Sequence, residues 1–198
     1  YVVAAAKAGK AIFCEKPFTR TWQECEETVA AVQQAGVKLY VGHVLRFFQE
    51  FEALRAQVEA GQIGKPGFVS TYRGGIFPLG EGKWFRDYAQ SGGVTYDCII
   101  HDFDWLRYMF GNPERIYCHA VEREDAINYA HVTMRFLNGV VANTTGSWAH
   151  PAGFRVKAEI CGDQGMLRFD NAEAPISVMM RAAAGAGPDM IVPGSPVP

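Results

Sequence analysis

The apolar residues of this chain change their spacing near residue 65, and that change separates two structural regimes. Before it, Val2 to Lys10 reads as the end of a helix closed by Gly9 and followed at once by a strand, Ala11-Ile12-Phe13-Cys14. Thr21 stands where a helix cap is needed, with Glu24 three residues on as the capping-box partner, so the sequence predicts a helix over Trp22 to Ala35 that stops at Gly36. Lys38 to Gly42 then reads as a short strand. Strand, helix and strand in this order form the unit of a parallel, doubly wound sheet.

An amphipathic helix, Phe48 to Ala60, follows with apolar positions at Phe48, Phe51, Leu54 and Val58 and a stop at Gly61. Beyond it come alternating segments: Gly67 to Arg73, Arg115 to Val121, Ile127 to Phe136, Gly139 to Trp148, Phe154 to Cys161 and Met166 to Phe169. Asn138-Gly139 is a strong two-residue hairpin signal. One further helix, about Thr95 to Phe110, ends at Gly111-Asn112-Pro113. The fold class is therefore α/β and α+β, the C-terminal part of a parallel domain (residues 1–43) followed by a largely antiparallel, open-sheet domain (44–180). Residues 181–198, rich in Gly and Pro, read as a loop or mobile tail. Phe154, Val156, Ala158 and Ile160 alternate with Arg155, Lys157 and Glu159, so one sheet face is expected to pack on helices and the other to meet solvent or a second subunit.

Charge and composition remove several classes of function. Nineteen Lys and Arg against 21 Asp and Glu give a net charge of -2 with no block of either sign, so nucleic acid is not an expected partner. No apolar run approaches the roughly 18 residues of a spanning helix, and the first residues lack the pattern of a signal peptide, so no membrane partner is expected and a cytoplasmic address is the default. The five cysteines lie far apart without C-x-x-C spacing and read as reduced.

Two groups of residues carry the signs of chemistry. Glu15-Lys16-Pro17 follows the strand Ala11 to Cys14, where the carboxyl end of a parallel strand opens on the ligand crevice. A lysine there reaches substrate or cofactor; the plain alternative is a surface lysine in a turn. Pro17 biases Lys16 to an extended backbone. The second group runs from Ser91-Gly92-Gly93 to Asp97, His101, Asp102 and Asp104. Asp97 and His101 are four apart, one turn on one helix face, and a histidine beside a carboxylate suits a general base for an alcohol. A buried, satisfied pair that merely holds the helix is the alternative. No third His or Cys is spaced to join them, so no metal is expected. His43, which follows a strand end on the same rim as Lys16, is the least certain of the remaining histidines, His119, His131 and His150. Ser91 lacks a G-x-S-x-G elbow.

Taken in order, Glu15-Lys16-Pro17, Gly42-His43-Val44-Leu45-Arg46-Phe47 and Ser91-Gly92-Gly93 leading to Asp97, His101, Asp102 and Asp104 resemble the Gfo/Idh/MocA oxidoreductase family over roughly residues 1 to 170. The resemblance implies a Rossmann-like domain binding NAD or NADP, followed by a substrate-binding domain whose open sheet serves homo-oligomer contacts, dimer or tetramer. It places Lys16, Asp97 and His101 at the nicotinamide as catalytic residues, Glu15, Lys16 and Pro17 at the cofactor, and Arg46 and Trp84 at the substrate. The implied substrate is a small sugar, polyol or related cyclic alcohol. A non-catalytic binding or regulatory homologue is the alternative. The family's G-x-G-x-x-G turn does not occur in this sequence, and the chain is expected to be truncated at both ends, the fragment alone being inactive.

Overall fold

The computed structural model describes residues 1–78, 84–85, 87–122, 128–150, 153–173, 177–180 and 191–192. The first regime is helix α1 (Val2–Lys7), strand β1 (Ile12–Cys14), helix α2 (Trp22–Ala35) and strand β2 (Leu39–Val41), with β1 and β2 parallel and Cys14 opposite Val41. The Thr21 hydroxyl accepts from the Glu24 N–H, the Glu24 carboxylate accepts from the Thr21 N–H, and Gly36 closes α2 at φ 65°. The helix therefore has the limits its caps demand.

A 3₁₀ turn (Val44–Phe47) and helix α3 (Gln49–Glu59) lead to strand β3 (Pro66–Gly74). Three helices follow, α4 (Tyr88–Ser91), α5 (Gly93–Asp97) and α6 (Ile100–Phe110), then strands β4 (Pro113–Glu122), β5 (Asn128–Phe136), β6 (Val141–Ser147), β7 (Arg155–Gly162), β8 (Gly165–Asp170), β9 (Ser177–Met180) and β10 (Ile191–Val192). The large sheet has the order β10-β9-β8-β7-β3-β6-β5-β4, and only β3 and β6 are parallel neighbours. Alternation decides which face is covered: Ala130, Val132, Met134 and Phe136 of β5 and Val156, Ala158 and Ile160 of β7 are buried. Against them lie Phe51 and Leu54 of α3, Trp105 and Leu106 of α6, and Ile99 between α5 and α6, with the Phe51 and Trp105 rings edge to face at 5.0 Å. The opposite face is open, carrying exposed Tyr117, Tyr129 and His131.

Three readings are corrected. The single helix expected from about Thr95 to Phe110 is two, α5 and α6, because the chain turns at Cys98-Ile99, where both the Cys98 and Ile99 N–H groups donate to the Val94 carbonyl at 3.0 Å. A packing constraint explains the turn: Val94 and Ile99 rest directly on Gly146 of β6, where an added Cβ would lie 2.8 Å from Ile99 Cγ2. Phe154 does not join the buried face of β7 and is 56% exposed. Within the stretch read as a tail, Ile191 and Val192 instead pair with Met179 and Val178 of β9, as two β-branched residues readily do. The rest of 181–198, like Ile127, lies outside the described residues. Among the described residues no helix is long and apolar enough to cross a membrane.

Gly146→Ala is expected to lower stability by roughly 1–3 kcal/mol, because the added methyl group must push Ile99 and Val94 off the sheet. Gly67→Ala, with open space around the new carbon, should stay within about 0.5 kcal/mol of the parent. Urea midpoints for the two variants check the contrast.

Candidate active site

Strand β1 delivers Lys16 to the start of a segment that clasps α4 and α5. The Lys16 ammonium donates to the Asp97 backbone carbonyl at 2.8 Å and to Asp97 Oδ1 at 3.0 Å. It thereby satisfies a carbonyl at the end of α5 and pairs with that residue's own carboxylate. Arg20 donates to the Ala89 and Tyr88 carbonyls and stacks on the Tyr96 ring, while the Tyr96 hydroxyl donates to the Thr19 carbonyl. At the other end of α5, Gly92 and Gly93 take φ of 70° and 65°, conformations that favour glycine. The Ser91 hydroxyl then accepts from the Gly93 N–H, and Asn128 Oδ1 accepts from the Val94 N–H.

Lys16, Asp97 and His101 line one cavity of about 220 Å³, together with Arg73, Trp148 and Phe154. Asp97 and His101 are not one turn apart on a continuous helix: Asp97 ends α5 and His101 sits in the first turn of α6, and the turn at Cys98-Ile99 brings both to the cavity. Each of three nearby acids is held by its own cation. Asp97 pairs with Lys16, Asp102 with Arg73 at 2.7 Å, and Asp104 with Arg46 at 2.6 and 2.5 Å.

Arg73 and Asp102 are 5% and 0% exposed, so this pair is dry and fixes α6 on β3. Residues 69, 71 and 73 share the buried parity of β3, occupied by Val69, Thr71 and Arg73. A charge on a core-facing strand position was a signal present in the sequence.

The remaining expected residues stand as follows. Glu15 is exposed beside Gly42, and the Lys16-Pro17 peptide is cis. Arg46 grips Asp104, lies over the Tyr108 ring at 4.8 Å and is not among the residues lining the cavity. Trp84 is one ring removed from the cavity, stacking on Phe85 at 3.9 Å, which in turn meets Trp148 edge on. Arg73, Trp148 and Phe154 are lining residues that motif reading alone does not supply.

Burial, with the cations Arg73 and Lys16 adding to it, lowers the His101 pKa to about 4, so the ring is neutral near pH 7. Its Nδ1 is buried without a hydrogen-bond partner. Burial also pushes the Cys98 thiol, another lining residue, up to about 12, which removes it as a nucleophile. Lys16 uses two of its three N–H donors within the protein and keeps one for a ligand. A neutral imidazole able to accept a proton, beside an ammonium able to hold an oxygen, suits the removal of a proton from an alcohol. Among the described residues no three His, Cys, Asp or Glu side chains gather as a metal site.

Residues 51–168 match the family model described as the GFO/IDH/MocA C-terminal domain, and residues 1–43 match that of an oxidoreductase family with an NAD-binding Rossmann fold. The scyllo-inositol 2-dehydrogenase (NAD(+)) of Bacillus subtilis (strain 168) is 30% identical over 84% of this chain and 50% of its own length. The myo-inositol 2-dehydrogenase of Thermotoga maritima is 31% identical over 86% of this chain and 52% of its own length. The chain thus spans about half the length of the curated relatives it matches. In fold it is similar to a levoglucosan dehydrogenase solved with NADH and L-sorbose, at a TM-score of 0.80 and 23% identity, over 98% of this chain and 57% of that one.

Two outcomes follow from the buried charges. Arg73→Met is expected to cost roughly 3–5 kcal/mol by leaving Asp102 buried and unpaired, and the double variant with Asp102→Leu should recover most of the loss in urea unfolding. The fold favours neutral His101, a contribution fully present above pH 6.5 and lost as pH falls toward 4, where only the unfolded chain has taken up the proton. Stability of the parent minus that of His101→Gln, measured across this window, should fall by roughly 1–3 kcal/mol.

Proposed function

The chain belongs to the Gfo/Idh/MocA oxidoreductase family, an NAD-binding family, and from that premise we propose that the whole protein is a dehydrogenase moving hydride between NAD(P) and an alcohol carbon of a sugar, polyol or related cyclic compound. The observation that carries the proposal is the meeting of Lys16, Asp97 and His101 in one cavity, with a neutral imidazole whose buried Nδ1 has no partner. These residues fit a nicotinamide nucleotide: Glu15, Lys16 and Pro17 stand at the carboxyl end of β1, where a doubly wound sheet receives its ligand. When bound, the nicotinamide supplies the hydride acceptor.

This chain's own residues hold the alcohol and move its proton. The remaining N–H of Lys16 donates to the reacting hydroxyl oxygen, and the ammonium charge stabilises the alkoxide as it forms. Asp97 keeps Lys16 aimed through the 3.0 Å contact and balances its charge. His101 accepts the hydroxyl proton, which its neutral ring allows at physiological pH. Trp148 and Phe154 offer aromatic walls to the apolar face of a sugar ring and exclude water from the reacting groups. A homo-oligomer using the open sheet face, with exposed Tyr117, Val121 and Tyr129 on β4 and β5, is part of the same proposal.

In the whole protein His101→Ala should lower kcat/KM roughly 10²- to 10⁴-fold while leaving the dinucleotide Kd near the parent value, and Lys16→Ala should damage both. The acid limb of kcat/KM should lie well below pH 6.5, because burial lowers the pKa of the base. Steady-state kinetics and cofactor titration of both variants check this. Parent-like turnover by His101→Ala refutes its role as the base, and tight dinucleotide binding without turnover by the parent protein identifies a regulatory homologue instead.

A further inference from the structure

A second imidazole, that of His43, approaches the helix that carries His101. His43 follows β2 directly, on the same rim as Lys16, and its backbone is fixed by donation to the Val41 carbonyl at 2.8 Å and by the 3₁₀ turn it opens. That turn packs on α6. On α6, Asp104 lies three residues beyond His101 and so on the same side of the helix. His43 Nε2 is 3.9 Å from Asp104 Oδ1, within ion-pair range and beyond a hydrogen bond. Arg46 holds the Asp104 carboxylate with two hydrogen bonds, so the anion facing His43 does not move.

Both rings carry a buried Nδ1 without a partner. Each such atom costs on the order of 1–3 kcal/mol, and two of them, one on α6 and one in the turn packed against it, ask for a role. The rings differ in one respect. His101 lines the cavity, whereas the His43 side chain is 23% exposed and reaches water. We propose that His43 is a positioning residue for the dehydrogenase reaction described above, acting through His101 as the second carrier in a proton path that runs from the substrate hydroxyl to solvent.

The step balances without a further reactant. The substrate O–H bond breaks and its proton passes to a ring nitrogen of His101; the carbon's hydrogen leaves with its electron pair as hydride to NAD(P)+, the alcohol is oxidised to a carbonyl and the cofactor is reduced. His101 gives the proton across bridging water to His43, and His43 releases it to bulk water. The charges that act on the His43 ring are those of Asp104 and Arg107 of α6 and Arg46 of its own turn, and a charge on His43 acts in turn on His101. Burial, Arg46 and Arg107 together outweigh Asp104 and leave the ring neutral, the form that accepts at one nitrogen and releases from the other. Charge on either imidazole disfavours charge on the other, so two protons do not accumulate and each one is driven outward.

The test uses His43→Asn and His43→Gln in the whole protein, with melting temperatures to certify folding. In ~5 mM buffer both variants should lose roughly 10- to 100-fold in kcat, and ~100 mM imidazole should restore at least about threefold, with no such gain for the parent or for His101→Ala. Dinucleotide Kd should not change. Independently of turnover, the NMR titration midpoint of the His101 ring should rise by about 0.3–1 unit in both variants, since a like charge has been removed. Unchanged midpoints, an unchanged kcat, or a loss that imidazole does not relieve overturn the relay. A parent protein without nicotinamide-dependent turnover removes the reaction and the relay together, whereas turnover with uncoupled rings removes the relay alone.

Discussion

Placing both charges of the Arg73 and Asp102 pair out of water costs several kcal/mol per ion, a cost offset only while the guanidinium and carboxylate keep the 2.7 Å contact between β3 and α6. Helix α6 therefore cannot slide along the sheet without exposing one buried charge to the loss of the other. His101 precedes Asp102 in the chain and inherits that fixed position, and Asp104, two residues on, is locked from the other side by Arg46. The same guanidinium adds to the burial that keeps His101 neutral, so one ion pair fixes the place of the candidate base and supports its protonation state.

The division of the three acids among three cations has a chemical result. Lys16 spends two of its three N–H donors on Asp97 and keeps one at the cavity, whereas the Arg73 and Arg46 guanidinium groups each grip a carboxylate through two contacts. Lys16 comes from the parallel unit, whereas His101 comes from the domain that carries the large sheet. The Lys16 ammonium and the His101 imidazole thus come to one cavity only where the two regimes of the chain meet, held there by the contacts of Lys16, Thr19 and Arg20 with α4 and α5.

Much of this was legible in the sequence. Caps are local chemistry, so Thr21, Glu24 and Gly36 gave the limits of α2, and Asn138-Gly139 placed the β5 to β6 hairpin, with Gly139 at φ 90°. The turn inside the expected Thr95 to Phe110 helix was not legible, because it answers to Gly146 on a distant strand and no helical period records a partner's missing side chain. Asp97 and His101 were paired on the assumption of one continuous helix and meet instead across a break. Arg73 escaped motif reading although its parity with Val69 and Thr71 marked it. Arg46 was read by resemblance toward the substrate, and its geometry is that of an ion pair with Asp104.

The strand order also dictates how the molecule must be put together. β4, β5 and β6 form a run of sequence neighbours, and β7 pairs with β8, so these pieces close with short loops. β3 is different: Val69 pairs with Ala142 on one side and Ile160 on the other, and both partners lie far along the chain. Loop-closure entropy makes such a strand late to dock, since nothing holds it until both flanking pieces exist. Arg73 and Gly75, at its end, then reach the cavity only once the sheet has closed. The cavity is consequently a product of the last assembly step, and a ligand that fits it binds only chains that have completed folding.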